Sequence, residues 1–106
     1  MRNGSSRRRV PSGVVFGDDW GYSRAIRCGD RIEVSGTSAW SEDGSVLAPA
    51  DPYVQTKVVL ERIERAIVEL GGSLVDVVRT RAFLANIADW REVGRDSYSS
   101  CAARAC

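Results

Sequence analysis

The chain has 106 residues, enough for one domain and too few for two. Hydrophobic residues make up 43% and charged residues 27%, a globular balance, and no apolar run approaches the roughly 20 residues needed to cross a bilayer. A net charge of +1 offers no bulk attraction for nucleic acid, and the absence of histidine removes every Ser-His or Cys-His nucleophile pair.

The start is basic and polar, with Arg7-Arg8-Arg9 its densest charge. No apolar stretch follows as a signal peptide requires, so the chain is expected to be cytoplasmic, and residues 1–13 read as a disordered tail. Val14-Val15-Phe16 is a short apolar run that starts a strand or staples onto the core, and Gly17-Asp18-Asp19 breaks it. From Tyr22 to Arg27, bulky side chains alternate with small or polar ones, as in a half-buried strand. Gly29-Asp30 suits a tight turn, and Arg31 to Thr37 alternates again, with Ile32 and Val34 on one side and Arg31, Glu33 and Ser35 on the other. The two runs predict an antiparallel hairpin. Glu42-Asp43-Gly44-Ser45 is a further turn signal, Val46-Leu47 reads as a short returning strand, and Pro49 ends it.

Asp51 to Leu70 predicts a helix. Asp51 is a good N-cap, and Pro52 stands at the first helical position, where its missing N–H costs nothing. Val59, Ile63, Ala66, Ile67 and Leu70 recur at helical spacing as one apolar stripe, and Gly71-Gly72 permits a left-handed cap. Such a stripe needs a sheet to lie against.

Ser73 to Asp76 reads as a short capped turn. Val77 to Leu84, rich in Val, Thr and Phe, reads as a strand whose two arginines, Arg79 and Arg81, share a face that is solvent-exposed, an interface or an anion site, exposure being the preferred reading. Asp89-Trp90-Arg91-Glu92 predicts a second helix opened by a capping box, with Asp89 as N-cap. Residues 99–106 show no period. The cysteines are Cys28, Cys101 and Cys106, an odd count that argues against a disulfide framework; the spacing of the last two does not suit zinc.

The order hairpin, short strand, long helix, strand, second helix resembles the reactive intermediate deaminase (Rid, or YjgF-like) family. The stretches that carry the resemblance are Tyr22-Ser23 leading into Val34-Ser35-Gly36-Thr37, Gln55-Thr56, and Gly71-Gly72-Ser73-Leu74. They continue through Asp76 to Leu84 and Ile87 to Val93. The resemblance implies an α+β, chorismate-mutase-like fold, with an antiparallel-rich mixed sheet and two helices packed on one face. It implies a domain over 14–98, and a C-terminally shortened member whose last strands are missing. It also implies homotrimers with ligand clefts between subunits, hydrolysis of imines or enamines to ketoacids and ammonia, and no metal or bound cofactor. Nucleic acid is not an expected partner, and neither is a membrane.

On that resemblance, Tyr22 matches a tyrosine lining the cleft; by itself it is equally a strand aromatic packed on the core. Ser35 and Gly36 match a Ser-Gly pair where backbone approaches ligand; by themselves they mark a bend. Arg104, in a small-Arg-small-Cys setting, is the candidate for the carboxylate-gripping arginine, with Cys106 as a remnant of a cleft cysteine. Gly94 stands where family members often carry asparagine, and no residue matches a glutamate of the last strand. No catalytic residue is assigned. Three readings therefore stand: an imine/enamine hydrolase, a non-catalytic ligand-binding or regulatory homologue, and an inactive fragment; a fourth, the ribonuclease activity attributed to some relatives, is disfavoured by the lack of histidine and of a basic stripe with interleaved aromatics.

Overall fold

The computed structural model describes residues 7–95. The elements run β1 (Arg7–Pro11), α1 (Val15–Trp20), β2 (Ser23–Cys28), β3 (Arg31–Val34), α2 (Pro52–Glu69) and α3 (Trp90–Val93). The expected hairpin is β2 and β3, paired from Ala25 opposite Val34 to Cys28 opposite Arg31 around Gly29-Asp30. Gly29 has φ +62°, a turn conformation that glycine reaches without steric cost. β1 pairs antiparallel with the other edge of β2, so the described strands form one sheet in the order β1-β2-β3.

β1 corrects the tail reading for residues 7–11. An edge strand makes its ladder from backbone groups alone, so three consecutive arginines are no obstacle provided alternate side chains reach water. Residues 1–6 and the expected C-terminal tail, 99–106, lie outside the described residues.

Register fixes what each face carries. Val10, Ala25 and Val34 align in one row, and Arg8, Arg27 and Ile32 in the next. This face meets α2: Ala25, Ala66 and Leu70 form the buried cluster, with Val10, Ile32 and Val34 packed against it. Arg9, Ile26 and Glu33 align on the opposite face, as do Arg7, Cys28 and Arg31.

α2 matches its expected bounds. The Asp51 carboxylate accepts from the Val54 backbone N–H at 3.1 Å, and Leu70 is the C-cap. Gly71, at φ +91°, donates to the Val68 carbonyl and Gly72 to that of Ile67, a Schellman closure. Two arginines from the sheet answer carbonyls left over at that end: Arg8 Nη2 donates to Glu69 at 2.9 Å, and Arg27 Nη1 to Leu70 at 2.7 Å. Of the expected stripe, Ala66, Ile67 and Leu70 are buried and Val59 and Ile63 half-buried.

Other segments depart from the sequence reading. Val15 and the residues after it form the short helix α1 rather than a strand, and Gly17-Asp18-Asp19 lies within it. Val46 makes an isolated bridge with Trp40. Pro49 is flanked by Ala48 and Ala50, both at positive φ (46° and 61°). Non-glycine residues in that region cost roughly 1–3 kcal/mol each, so this entry to α2 is held by its surroundings. Residues 77–84 form no strand. Val78 is 98% exposed and Phe83 87%, because no described strand edge lies beside them to complete a ladder. Arg79 and Arg81 are exposed, as expected. α3 begins after a 3-10 turn at Ile87–Asp89; Asn86, not Asp89, supplies the cap, accepting from Ala88 N–H at 3.1 Å. Arg95 then stacks over the Tyr53 ring of α2, 3.9 Å from its centroid. The whole is an α+β fold.

Leu70 is the largest fully buried side chain among the described residues, at 1% exposure. Leu70→Ala is expected to lower stability by about 2–5 kcal/mol, read as a reduced urea midpoint at unchanged slope.

Candidate functional site

The end of the hairpin away from its turn gathers the expected site residues. Tyr22 precedes β2 and is 37% exposed. Ser35 and Gly36 follow β3 and are exposed. Ser35 is tied across the hairpin twice: its backbone N–H donates to the Arg24 carbonyl at 2.9 Å, and its hydroxyl to the Ser23 carbonyl at 2.6 Å. Those bonds carry the β2–β3 pairing past the last ladder residue and hold Ser35-Gly36 beside Tyr22-Ser23. Arg104 and Cys106 lie outside the described residues.

Arg24, an ordinary member of the alternating run in the sequence, organises this end. Its side chain is 6% exposed, at a β-bulge opposite Val10 and Pro11 of β1. Nη2 donates to the Ser12 carbonyl at 2.6 Å and Nη1 to Thr37 Oγ1 at 3.0 Å. The Thr37 hydroxyl in turn donates to the Ser35 carbonyl at 2.9 Å. Arg24 thus joins the loop after β1 to the loop after β3 and locks Ser35 between them. Burial, and then the like charge of Arg62, push its pKa below the ordinary value, while Tyr22 acts in the opposite direction. Alternation alone sets Arg24 with Ile26 and Cys28, but the bulge opposite Val10 and Pro11 breaks the period at Arg24, so its burial had no signal in the sequence.

Arg62 reaches the same place from α2, donating through Nη1 to the Ser38 carbonyl at 3.1 Å. Next to Ser12 lies an open groove of about 380 Å³, lined by Pro11, Ser12, Gly13, Val14, Val15 and Glu42. Its far wall leads into the turn at Asp43, whose carboxylate accepts from the Ser41 hydroxyl, and from the Ser45 backbone N–H and hydroxyl at 3.0 and 2.9 Å. Among the described residues no group of acidic, cysteine or histidine side chains is clustered to hold a metal ion, and no helix is long and apolar enough to cross a membrane.

Two outcomes are expected. Thr37→Val removes an acceptor from a buried cation and should cost about 1.5–3 kcal/mol in chemical denaturation, with Thr37→Ser largely restoring it. The hydrogen bonds on Asp43, that of Ser41 foremost, hold its pKa at about 2 against an ordinary 3.8. A depressed folded-state pKa stabilises the fold fully above the unfolded value. The contribution of Asp43 is therefore complete above pH 3.8 and is lost as pH falls through about 2. Asp43→Asn should flatten the fall of the urea midpoint across that window.

Known proteins resemble this chain in sequence and fold. A family model described as Endoribonuclease L-PSP matches residues 18–102. The uncharacterized protein SCO2049 of Streptomyces coelicolor is 42% identical over 88 residues, 83% of this chain and 65% of that protein. The chain thus spans just under two thirds of the length of that curated relative, 65%. The crystal structure of Rv2704, a member of the YjgF/YER057c/UK114 family from Mycobacterium tuberculosis, matches with a TM-score of 0.75 at 40% identity, covering 91% of this chain and 74% of that one. The match spans the hairpin, α2 and the segment leading into α3, and on it the chain belongs to the Endoribonuclease L-PSP family, the YjgF/Rid group.

Proposed function

We propose that the chain is a Rid-type hydrolase that converts reactive imines and enamines to ketoacids and ammonia, acting as a cytoplasmic homotrimer without metal or bound cofactor. The observation that carries the reading is the gathering of Tyr22, Ser35 and Gly36 at one end of the hairpin, tied through Ser23 and Arg24. Membership of the family supports it.

In this reading Tyr22 borders the ligand and the backbone at Ser35-Gly36 approaches it. Arg104 supplies the bidentate grip on a substrate carboxylate. Water adds to the imine carbon, forming a C–O bond. The C–N bond then breaks, the nitrogen leaves with its electron pair as ammonia, and the carbonyl of the ketoacid remains. Such a reaction asks the protein mainly to position water and polarise the imine, a task that needs no histidine.

A second reading, a non-catalytic ligand-binding or regulatory homologue, draws on Gly94. That residue is the C-cap of α3 and carries no side chain where family members often present an asparagine amide.

An imine generated in situ from an amino acid separates the two. The hydrolase reading expects acceleration over buffer, with Tyr22→Phe lowering kcat/KM by about tenfold if the hydroxyl meets the ligand. Folded protein that binds ketoacid in calorimetry without any acceleration would establish the second reading instead. An RNA substrate belongs in the same assay, because the family description names an endoribonuclease; cleavage of RNA and not of imine would overturn the proposal.

A further inference from the structure

Residues 77–84 carry strand-forming side chains, yet they join no ladder among the described residues. The backbone is extended at both ends of the segment. Val77 has φ −71° and ψ 129°, and Asn86, just beyond it, has φ −127° and ψ 112°. Within it, Arg81 lies over the Phe83 ring, 5.6 Å from its centroid. Side chains two residues apart meet in this way when they share one side of an extended chain. Val75, Val78, Phe83, Ile87 and Trp90 are large and exposed, so the same ribbon presents apolar surface and backbone outside any ladder. A strand in that state pairs with an edge that reaches it. Every solution of this protein supplies one such edge, that of a second copy.

Symmetry limits how two copies can pair. Antiparallel strands related by a two-fold axis meet with one residue facing its own image, because the axis keeps each side chain on its own face of the sheet. An axis through Arg79 or Arg81 sets an arginine against itself, and an axis through Thr80 sets Arg79 against the partner's Arg81. Like charges directly opposed are destabilising. An axis through Ala82 avoids both clashes. It sets Arg81 against the partner's Phe83, Phe83 against the partner's Arg81, and Thr80 against the partner's Leu84. The cation that lies over a ring within one copy then meets a second ring across the pair. Ala82, the smallest side chain of the segment, occupies the axis. The two arginines thus exclude three central placements and leave one.

We propose that residues 79–85 form an intermolecular strand, pairing antiparallel with the same segment of a second copy about a two-fold axis at Ala82, with Arg81 and Phe83 as reciprocal partners. So short a pairing falls well below the roughly 20–30 residues a side of a standard interface, and its dissociation constant is on the order of micromolar or above. The pairing does not rest on the hydrolase reading. In a homotrimer it would join one trimer to another, so its signature is a reversible doubling of mass.

The test is sedimentation equilibrium of the full chain over roughly 5–500 μM, a range that brackets such a constant. The mass is expected to double with concentration. Phe83→Lys sets a cation against the partner's Arg81 and should weaken association about tenfold, whereas Phe83→Glu, which loses the same ring but sets an anion there, should retain it. Phe83 is exposed, so neither change threatens the fold, and circular dichroism checks this. Ala82→Cys should give a disulfide-linked dimer on oxidation, because residues facing each other across such a pair stand within disulfide reach. Peptide mass spectrometry should place that link at position 82 of both copies. Val78→Cys, on the same side but four residues from the axis, should give none. A mass that stays constant across the range overturns the proposal. So does doubling that Phe83→Lys leaves unchanged, an equal loss with Lys and Glu, or a link that forms at 78 as readily as at 82.

Discussion

The seating of the last turn of α2 on the sheet is the contact from which the rest of the structure hangs. Leu70 and Ala66 enter against Ala25, and the two alanines let helix and strand approach closely enough for Leu70 to lose nearly all its exposure. A helix end set into a sheet leaves carbonyls without partners unless the sheet provides donors. Arg8 and Arg27 are those donors, one from each of two neighbouring strands. The same contact therefore anchors β1, whose Val10 packs beside the cluster, and sets the direction in which the hairpin leaves the core.

Away from that contact, the sheet must be covered by loops or left open. At the far end of the hairpin the loop after β1 and the loop after β3 close over Arg24, which bonds to both. That closure brings Ser35-Gly36 beside Tyr22 and sets the groove at Pro11–Val15 next to them. Toward the turn, the arginines of the row Arg7, Cys28 and Arg31 stay exposed. The chemistry of the site is thus placed by a buried cation and by two carbonyl bonds across a hairpin, and the neighbouring strain at Ala48 and Ala50 is borne by a loop that α2 immediately restrains.

Periodic elements were legible. The helix 52–69 has a cap, a stripe and a stop that all agree, and Ile32 and Val34 fall on the core side as their alternation demands. Composition misled where the outcome depended on a neighbour. Arg7-Arg8-Arg9 reads as a solvated run because its side chains are charged, yet strand pairing consults the backbone. Val77 to Leu84 has strand-forming side chains, yet a strand exists only where another edge accepts its hydrogen bonds. Asp89 has the right type for an N-cap, but Asn86 three residues earlier captures the chain first.

The site divides in the same way. Tyr22, Ser35 and Gly36 were recognisable from the residues around them. Arg24 and Arg62 were not, because one read as a polar position in an alternating strand and the other as a helix surface charge; their meeting at Thr37-Ser38 joins residues far apart in the chain. By itself the sequence determined the family, the hairpin and the helix, since each rests on patterns within a few turns of chain. Only the tertiary structure decided which arginines are buried and which strand-like segment pairs, because burial and partnership are properties of what folds back against a residue and not of the residue's own neighbours in sequence.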